Sequence, residues 1–253
     1  MASGEASRSA PAKSGSPFPL NIQVFQHVPF EDIGCMAAWA GSRGHSVRYT
    51  RFHAGELPPD PGAFDLLIVM GGPMGVHDES RLPWLVGEKR AIASALKADK
   101  AVLGVCLGAQ LMADVLGAPV TRNRLPEIGW HKVALGADAR RTWMAQAFPP
   151  EFTAFHWHGD TFEVPSGAVG LGSSEACARQ GFLYGDKALA LQFHPEVTEA
   201  GMEELIRECG DELRPGPFVQ DAAAIRAGIH RAPEVNAMMI KACGILAAAC
   251  SKR

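Results

Sequence analysis

Tyrosine is nearly absent from this chain, at two residues in 253, and aromatic residues make up only 8% of it. Basic residues do not outnumber acidic ones (24 against 27), and no basic run interrupts the mixture. A nucleic-acid surface needs a cationic footprint, commonly interleaved with stacking rings, so no nucleic-acid partner is expected. No apolar run in the sequence has the length of a membrane span, and the opening MASGEASRSAPAKSGSP lacks the apolar core of a secretory leader. No membrane partner is expected, and residues 1–18, rich in Ser, Ala, Gly and Pro, read as a disordered tail. The six cysteines, at 35, 106, 177, 209, 243 and 250, include no C-x-x-C pair and no close His/Cys cluster. That argues against a disulfide framework and a structural zinc site, and a reducing, cytoplasmic setting is expected. His27, His45, His53, His77 and His131 show no paired ligand spacing and read as solvated or core residues. There is no G-x-x-x-x-G-K-S/T phosphate loop and no internal repeat.

What is present is an ordinary globular composition, 47% hydrophobic and 20% charged, in a chain long enough for a substantial core. Strands are expected at 19–26, 45–52, 64–70, 101–105 and 188–193, and helices at 33–40, 84–97, 107–116 and 199–209. This alternation predicts an α/β fold, a doubly wound and mostly parallel sheet flanked by helices. After Gly117 short β-like pieces follow, at 130–135, 152–157, 168–173 and 180–184, as in a small antiparallel addition to the main sheet. Residues 211–217 read as a hinge, and 219–230 and 235–250 as two helices. The expected organisation is a main domain over 19–210 with a C-terminal helical extension, 211–253, packed on it. The apolar last helix caps that domain or meets a partner, so self-association is left open.

The chemistry concentrates at Gly104-Val105-Cys106-Leu107-Gly108, where a buried-type strand gives way to a helical period. This is the G-x-nucleophile-x-G arrangement of a nucleophile elbow, with cysteine in place of serine. The glycines allow a sharp reversal, the helix N-terminus favours thiolate, and the Leu107 N–H is left to face an oxyanion. By itself the pattern is equally compatible with a core cysteine in a tightly packed strand–turn–helix. Gly71-Gly72 follows another apolar strand and offers a second N–H, or is simply a tight turn. In an open α/β sheet both stretches fall at the carboxyl edge where ligands collect.

His194 and Glu196 follow the strand at 188–193 directly. Two residues apart on an extended segment, their side chains would point the same way, and the carboxylate would fix the imidazole tautomer. Pro195 between them restricts the backbone. A cysteine at one strand end and a His–carboxylate pair at another follow nucleophile–base–orienter logic.

GGPMG, GVCLGAQ and QFHPE, in this order and separation, resemble the class I glutamine amidotransferase family, and HWHGD (156–160) resembles its GMP synthase-like members. The resemblance covers roughly residues 19–207. It implies a doubly wound domain that hydrolyses the glutamine side-chain amide. By it, Cys106 is the nucleophile, His194 the acid/base and Glu196 its orienter; Gly72 and Leu107 are the oxyanion donors. Gln110, Gly159 and Asp160 receive the α-substituents of the substrate. Trp157 departs from the polar residue found in other members, and packing under the β addition is the equal alternative for Trp157 and His158. Glu127-Ile128-Gly129-Trp130 resembles a stretch of stand-alone relatives, although a bend into a strand explains it locally; Cys177 and Cys209 read as packing residues.

The implied chemistry needs no metal or redox cofactor. The sequence shows no synthetase or ATP-using domain, so an ammonia acceptor is another polypeptide, such as a synthetase acting in trans, or is absent. Three readings follow: a stand-alone glutamine amidotransferase-like hydrolase, a γ-glutamyl peptide hydrolase with the same triad, and a non-catalytic binding module.

Overall fold

Three segments without a charged side chain set the architecture: LLIV, AVLGV and ALAL, each buried along its whole length. A strand apolar on both faces needs a layer on each side, and the computed structural model, which describes residues 18–250, has them. The expected tail lies outside the described residues except for Phe18. The strands are β1 (Asn21–Gln26), β2 (Ser46–Arg51), β3 (Leu66–Val69), β4 (Ala101–Val105), β5 (Val120–Leu135), β6 (Glu151–Phe162), β7 (Ala168–Gly170), β8 (Gly172–Ser173), β9 (Gly181–Tyr184) and β10 (Ala188–Leu191). The helices are α1 (Cys35–Ser42), α2 (Trp84–Lys97), α3 (Leu107–Val115), α4 (Met144–Ala147), α5 (Glu199–Glu208), α6 (Ala222–Ala227) and α7 (Ala232–Cys250).

Seven strands form one sheet in the order β2-β1-β3-β4-β10-β9-β7. The first five are mutually parallel, and β9 runs antiparallel to its neighbours β10 and β7. Alternation sends Leu66, Ile68, Leu103, Val105 and Leu191 to the face covered by α1 and α7, and Leu67, Val69, Val102 and Ala190 to the face covered by α2 and α3. This is the expected α/β arrangement. Adjacent β3, β4 and β10 all end at one edge, followed respectively by Gly71-Gly72, Cys106 and His194.

The β addition is larger than the sequence pattern suggests. Its pieces at 130–135 and 152–157 are parts of β5 and β6, which with β8 make a separate antiparallel sheet in the order β6-β5-β8. An irregularity between Arg122 and Glu127, containing Pro126, breaks the alternation that would have revealed β5. The piece at 168–173 divides, β7 joining the main sheet and β8 the small one. Likewise 219–230 is not one helix. Ile128 N–H donates to Phe218 O at 2.9 Å and Gln220 N–H to Ile128 O at 3.0 Å. Helix α6 starts only after Asp221, whose carboxylate caps it by accepting from Ala224 N–H at 2.8 Å.

The helical run Ala222–Cys250 is long and apolar enough by composition to cross a membrane, with mean hydropathy 1.2. Its α7 part packs on β3, β4, β6, α1 and α4, with Val235, Met239, Ala242 and Leu246 completely buried. A helix used as a core layer is apolar for that reason. Asn236 on α7 donates to Pro195 O at 2.8 Å and Val197 O at 3.0 Å, so this helix also holds the loop carrying His194 and Glu196.

Candidate active site

At the elbow the reversal falls on Cys106 itself, at φ 52° and ψ −108°. This is a left-handed conformation that a non-glycine residue adopts at a cost of about 1–3 kcal/mol. The expectation that the glycines supply the reversal is thereby corrected, because neither Gly104 nor Gly108 has a positive φ. They are needed for close approach. A Cβ on Gly108 would lie 2.0 Å from Val69 O, and one on Gly104 2.6 Å from Gly108 O. Gly108→Ala therefore drives a methyl into the backbone of β3. An expected loss of about 3 kcal/mol is to be read as a lowered midpoint in denaturant unfolding; a midpoint like that of the wild type would contradict the packing described.

The His–carboxylate pair also forms differently from its expected geometry. Strand β10 stops at Leu191, and His194-Pro195-Glu196 lies in a turn rather than an extended segment. The side chains meet nonetheless, with His194 Nδ1 donating to Glu196 Oε1 at 2.8 Å. The backbone is fixed from two sides: His194 N–H donates to Phe155 O at 2.8 Å, and Glu196 O accepts from Cys35 N–H at 2.9 Å. Both side chains are buried.

Cys106 Sγ lies 3.6 Å from Trp157 O and 3.7 Å from Gln192 Nε2, and it shares the cavity with the His194 ring, each group shifting the other's pKa. Burial pushes the thiol above its ordinary range, and the imidazole and Leu107 N–H only partly offset this. The expected thiolate-favouring dipole is thus outweighed by desolvation. Burial disfavours the His194 imidazolium too, but the Glu196 carboxylate and the neighbouring sulfur overcome it and hold that pKa well above the usual histidine range.

Cys106, His194, Gly72, Gln110, Gly159 and Asp160 line one cavity of about 750 Å³. Leu107 does not line it with its side chain, yet its N–H favours the Cys106 thiolate, and its side chain lies against Gly72. Asp160 pairs with exposed Arg122 at 3.4 Å. Trp157 does both things weighed for it: it is buried, it lines the cavity, and its indole N–H donates to Glu212 Oε2 at 3.2 Å. Cys209, expected as packing, is buried but reaches the cavity wall.

Several groups escaped the sequence reading. Gln192 links Gln110, whose Nε2 donates to its Oε1 at 3.2 Å, to the Cys106 sulfur. It precedes the His-Pro-Glu stretch by two residues, so position was the available signal. Glu31 is buried beside His194 between this cavity and a second of about 360 Å³, and burial raises its pKa. Glu127 is no mere bend residue. It is fully buried on β5 opposite His158 of β6, and His156, two residues earlier, shares that face. Among the described residues, this trio is a group of three whose ligand atoms could hold a metal ion. The other histidines have local partners or solvent: His27 bridges Gly71 O and Glu88, His45 accepts from Leu20 N–H, His131 donates to Ile128 O, and His53 and His77 are exposed.

The family model for glutamine amidotransferase class-I matches residues 40–210. The chain is 33% identical over 215 residues to a putative glutamine amidotransferase-like protein, YfeJ, of Salmonella typhimurium, covering 82% of this chain and 90% of that one. It is 34% identical over 144 residues to one subunit of the glutamine-hydrolysing GMP synthase of Sulfurisphaera tokodaii, covering 55% of this chain and 72% of that one. Among solved structures, a glutamine amidotransferase of Thermotoga maritima superposes with a TM-score of 0.81 at 31% identity, covering 93% of this chain and all of that one. One from Methylobacillus flagellatus gives 0.84 at 27% identity, covering 90% and 94%.

Proposed function

The chain belongs to the glutamine amidotransferase class I family, cysteine-dependent glutamine-hydrolysing enzymes, and on that premise we propose that it releases ammonia from the glutamine side chain through Cys106, His194 and Glu196. The observation that carries this reading is the convergence of three adjacent strand ends on one cavity, with a strained cysteine facing a carboxylate-bound imidazole.

His194 takes the proton of Cys106 as the sulfur attacks the γ-carboxamide carbon, and the carbonyl oxygen becomes an oxyanion facing the N–H groups of Leu107 and Gly72. Collapse breaks the C–N bond, His194 protonates the departing ammonia, and a γ-glutamyl thioester remains on Cys106. Water, deprotonated by His194, then attacks the thioester carbonyl; the C–S bond breaks, His194 returns the proton to the departing Cys106 sulfur, and glutamate is released. Gln110, Gly159 and Asp160 receive the α-amino and α-carboxylate end, and Gln192 keeps Gln110 aligned with the sulfur. The catalytic unit is 19–210, with 211–250 packed on it and supplying Glu212 to the cavity wall. The relatives among glutamine-hydrolysing GMP synthase subunits support a synthetase partner in trans. All six cysteines are free, in keeping with a reducing cytoplasmic setting. No observation favours a γ-glutamyl peptide over glutamine.

The reacting pair must hold one proton fewer than a neutral thiol beside an imidazolium. Both pKa shifts are upward, so that proton leaves toward higher pH and the competent form grows as pH rises. Ammonia release from glutamine, measured as kcat/KM between pH 6 and 9, is expected to increase across the neutral range. A profile falling with pH would contradict the assigned roles, and no release from glutamine at any pH would remove the reading.

A further inference from the structure

We propose that Glu127, His156 and His158 form a binding site for one divalent transition-metal ion of the zinc class, held between β5 and β6. The site is built by strand pairing. Glu127 and His158 are direct cross-strand partners, and the period of two puts His156 on the same face. All three are buried, and their ligand atoms lie within 4.8 Å of one another. Two imidazoles and one carboxylate are a donor set that zinc accepts.

Hydrogen bonds between neutral rings and the carboxylate do not account for this arrangement, and an imidazolium at His158 would still leave both His156 nitrogens unpartnered. His158 Nδ1 lies 3.0 Å from Asp160 O, and a carbonyl only accepts, so Nδ1 carries the hydrogen. In a neutral ring Nε2 then presents a lone pair, yet it faces Glu127 Oε2 at 3.1 Å. Two acceptors at that distance need a cation between them. His156 Nδ1 is 3.4 Å from the same oxygen, outside good hydrogen-bond geometry, and neither of its ring nitrogens has a partner among the described residues. Glu127 Oε1 and Gln180 Oε1 are also buried without one. Four unsatisfied buried atoms around one carboxylate are costly as they stand and are what a metal ion would repair.

Two of the three ligand–ligand edges have the right length: with zinc–ligand bonds near 2.0–2.1 Å, the edge of a tetrahedron is about 3.3 Å, against 3.1 and 3.4 Å from Glu127 Oε2 to His158 and to His156, while the His156–His158 edge lies within 4.8 Å. The His158 contact to Asp160 O is the outer partner that fixes a ligating histidine's tautomer. Gln180 Nε2 donates to Glu127 Oε2 at 2.7 Å, orienting the carboxylate. Gln180 Oε1, or a water from the cavity that His158 lines, completes four-coordination. The ion would cross-link the two strands beside Gly159 and Asp160. The site does not depend on the glutaminase reading.

The test uses the full chain carrying Cys106→Ala, so that the Cys106–His194 pair cannot take the metal. After stripping with chelator it is dialysed against zinc chloride, and against cobalt(II) chloride for spectroscopy. The expected results are one zinc per chain, a raised Tm, and two hyperfine-shifted imidazole N–H protons in the cobalt form. Adding Glu127→Gln should weaken zinc binding by about 100-fold, the upper range for losing even an outer-shell partner. Should that double variant fail to fold, uptake, Tm and the two shifted protons in the Cys106→Ala chain decide the matter. Substoichiometric zinc with unchanged Tm, a cobalt form lacking the shifted protons, or undiminished affinity in a folded Glu127→Gln protein would overturn the site. The cluster would then be an imidazolium–carboxylate pair sharing a proton.

Discussion

Cys106→Ala is expected to lower kcat for glutamine hydrolysis by about 10⁶-fold, leaving only what binding and the oxyanion donors contribute. The sulfur is the atom on which the proposed thioester forms, and no other cysteine has both a strained turn and an imidazole beside it. Cys177 bonds Thr161 Oγ1 and Arg179 O, and Cys243 is fully buried on α7. The fold should survive, because alanine keeps the Cβ at φ 52° and removes only one buried atom. An unfolding curve within about 1–2 kcal/mol of the wild type, together with lost ammonia release, is the predicted combination. Substantial turnover by the alanine variant would remove Cys106 from the reaction.

Glu196→Gln should reduce kcat by about 10⁴-fold, less than loss of the nucleophile. The carboxylate Oε1 accepts from His194 Nδ1 at 2.8 Å and is the chief influence keeping the proton on that ring. An amide occupies the same space but lacks the charge that stabilises the imidazolium formed as the thiol is deprotonated. It can also present its NH₂ to Nδ1 and select the wrong tautomer. The sign of the accompanying pH change is fixed: without the carboxylate the imidazole pKa drops, so the rising limb of kcat/KM moves to lower pH. A fall of less than about tenfold, with the pH profile unmoved, would reduce Glu196 to a packing residue.

The parts of this site legible in the sequence are those written within a few consecutive residues. Gly104 to Gly108 show the change from strand to helix, and His194-Pro195-Glu196 follows an apolar run, so the two ends of the chemistry could be read before the fold was known. Their geometry could not. The turn after Leu191 and the positive φ at Cys106 depend on tertiary restraints, among them Phe155 O, Cys35 N–H and Leu191 O. Strand β5 was obscured because Pro126 and the irregularity from Arg122 to Glu127 interrupt its alternation. Residues 219 and 220 read as the start of a helix, although the chain there is bonded to Ile128 through Phe218 O and Gln220 N–H, about 90 positions away in sequence. Glu127 stayed invisible as a functional candidate for the same reason. Its partners lie 29 and 31 positions downstream and meet it only across a strand pair, where no short spacing rule applies. Gln192 and Glu31 lack any local pattern and are recognised only by what they touch.

The central claim is that the Cys106 sulfur attacks the glutamine amide carbon within reach of His194. A glutamine-mimicking chloroketone followed by peptide mass spectrometry tests it most directly. The account predicts one label per chain, on Cys106, slowed by excess glutamine and lost in Cys106→Ala. Label carried by Cys35, Cys177, Cys209, Cys243 or Cys250 instead, or no label on a chain that still turns over glutamine, would contradict it.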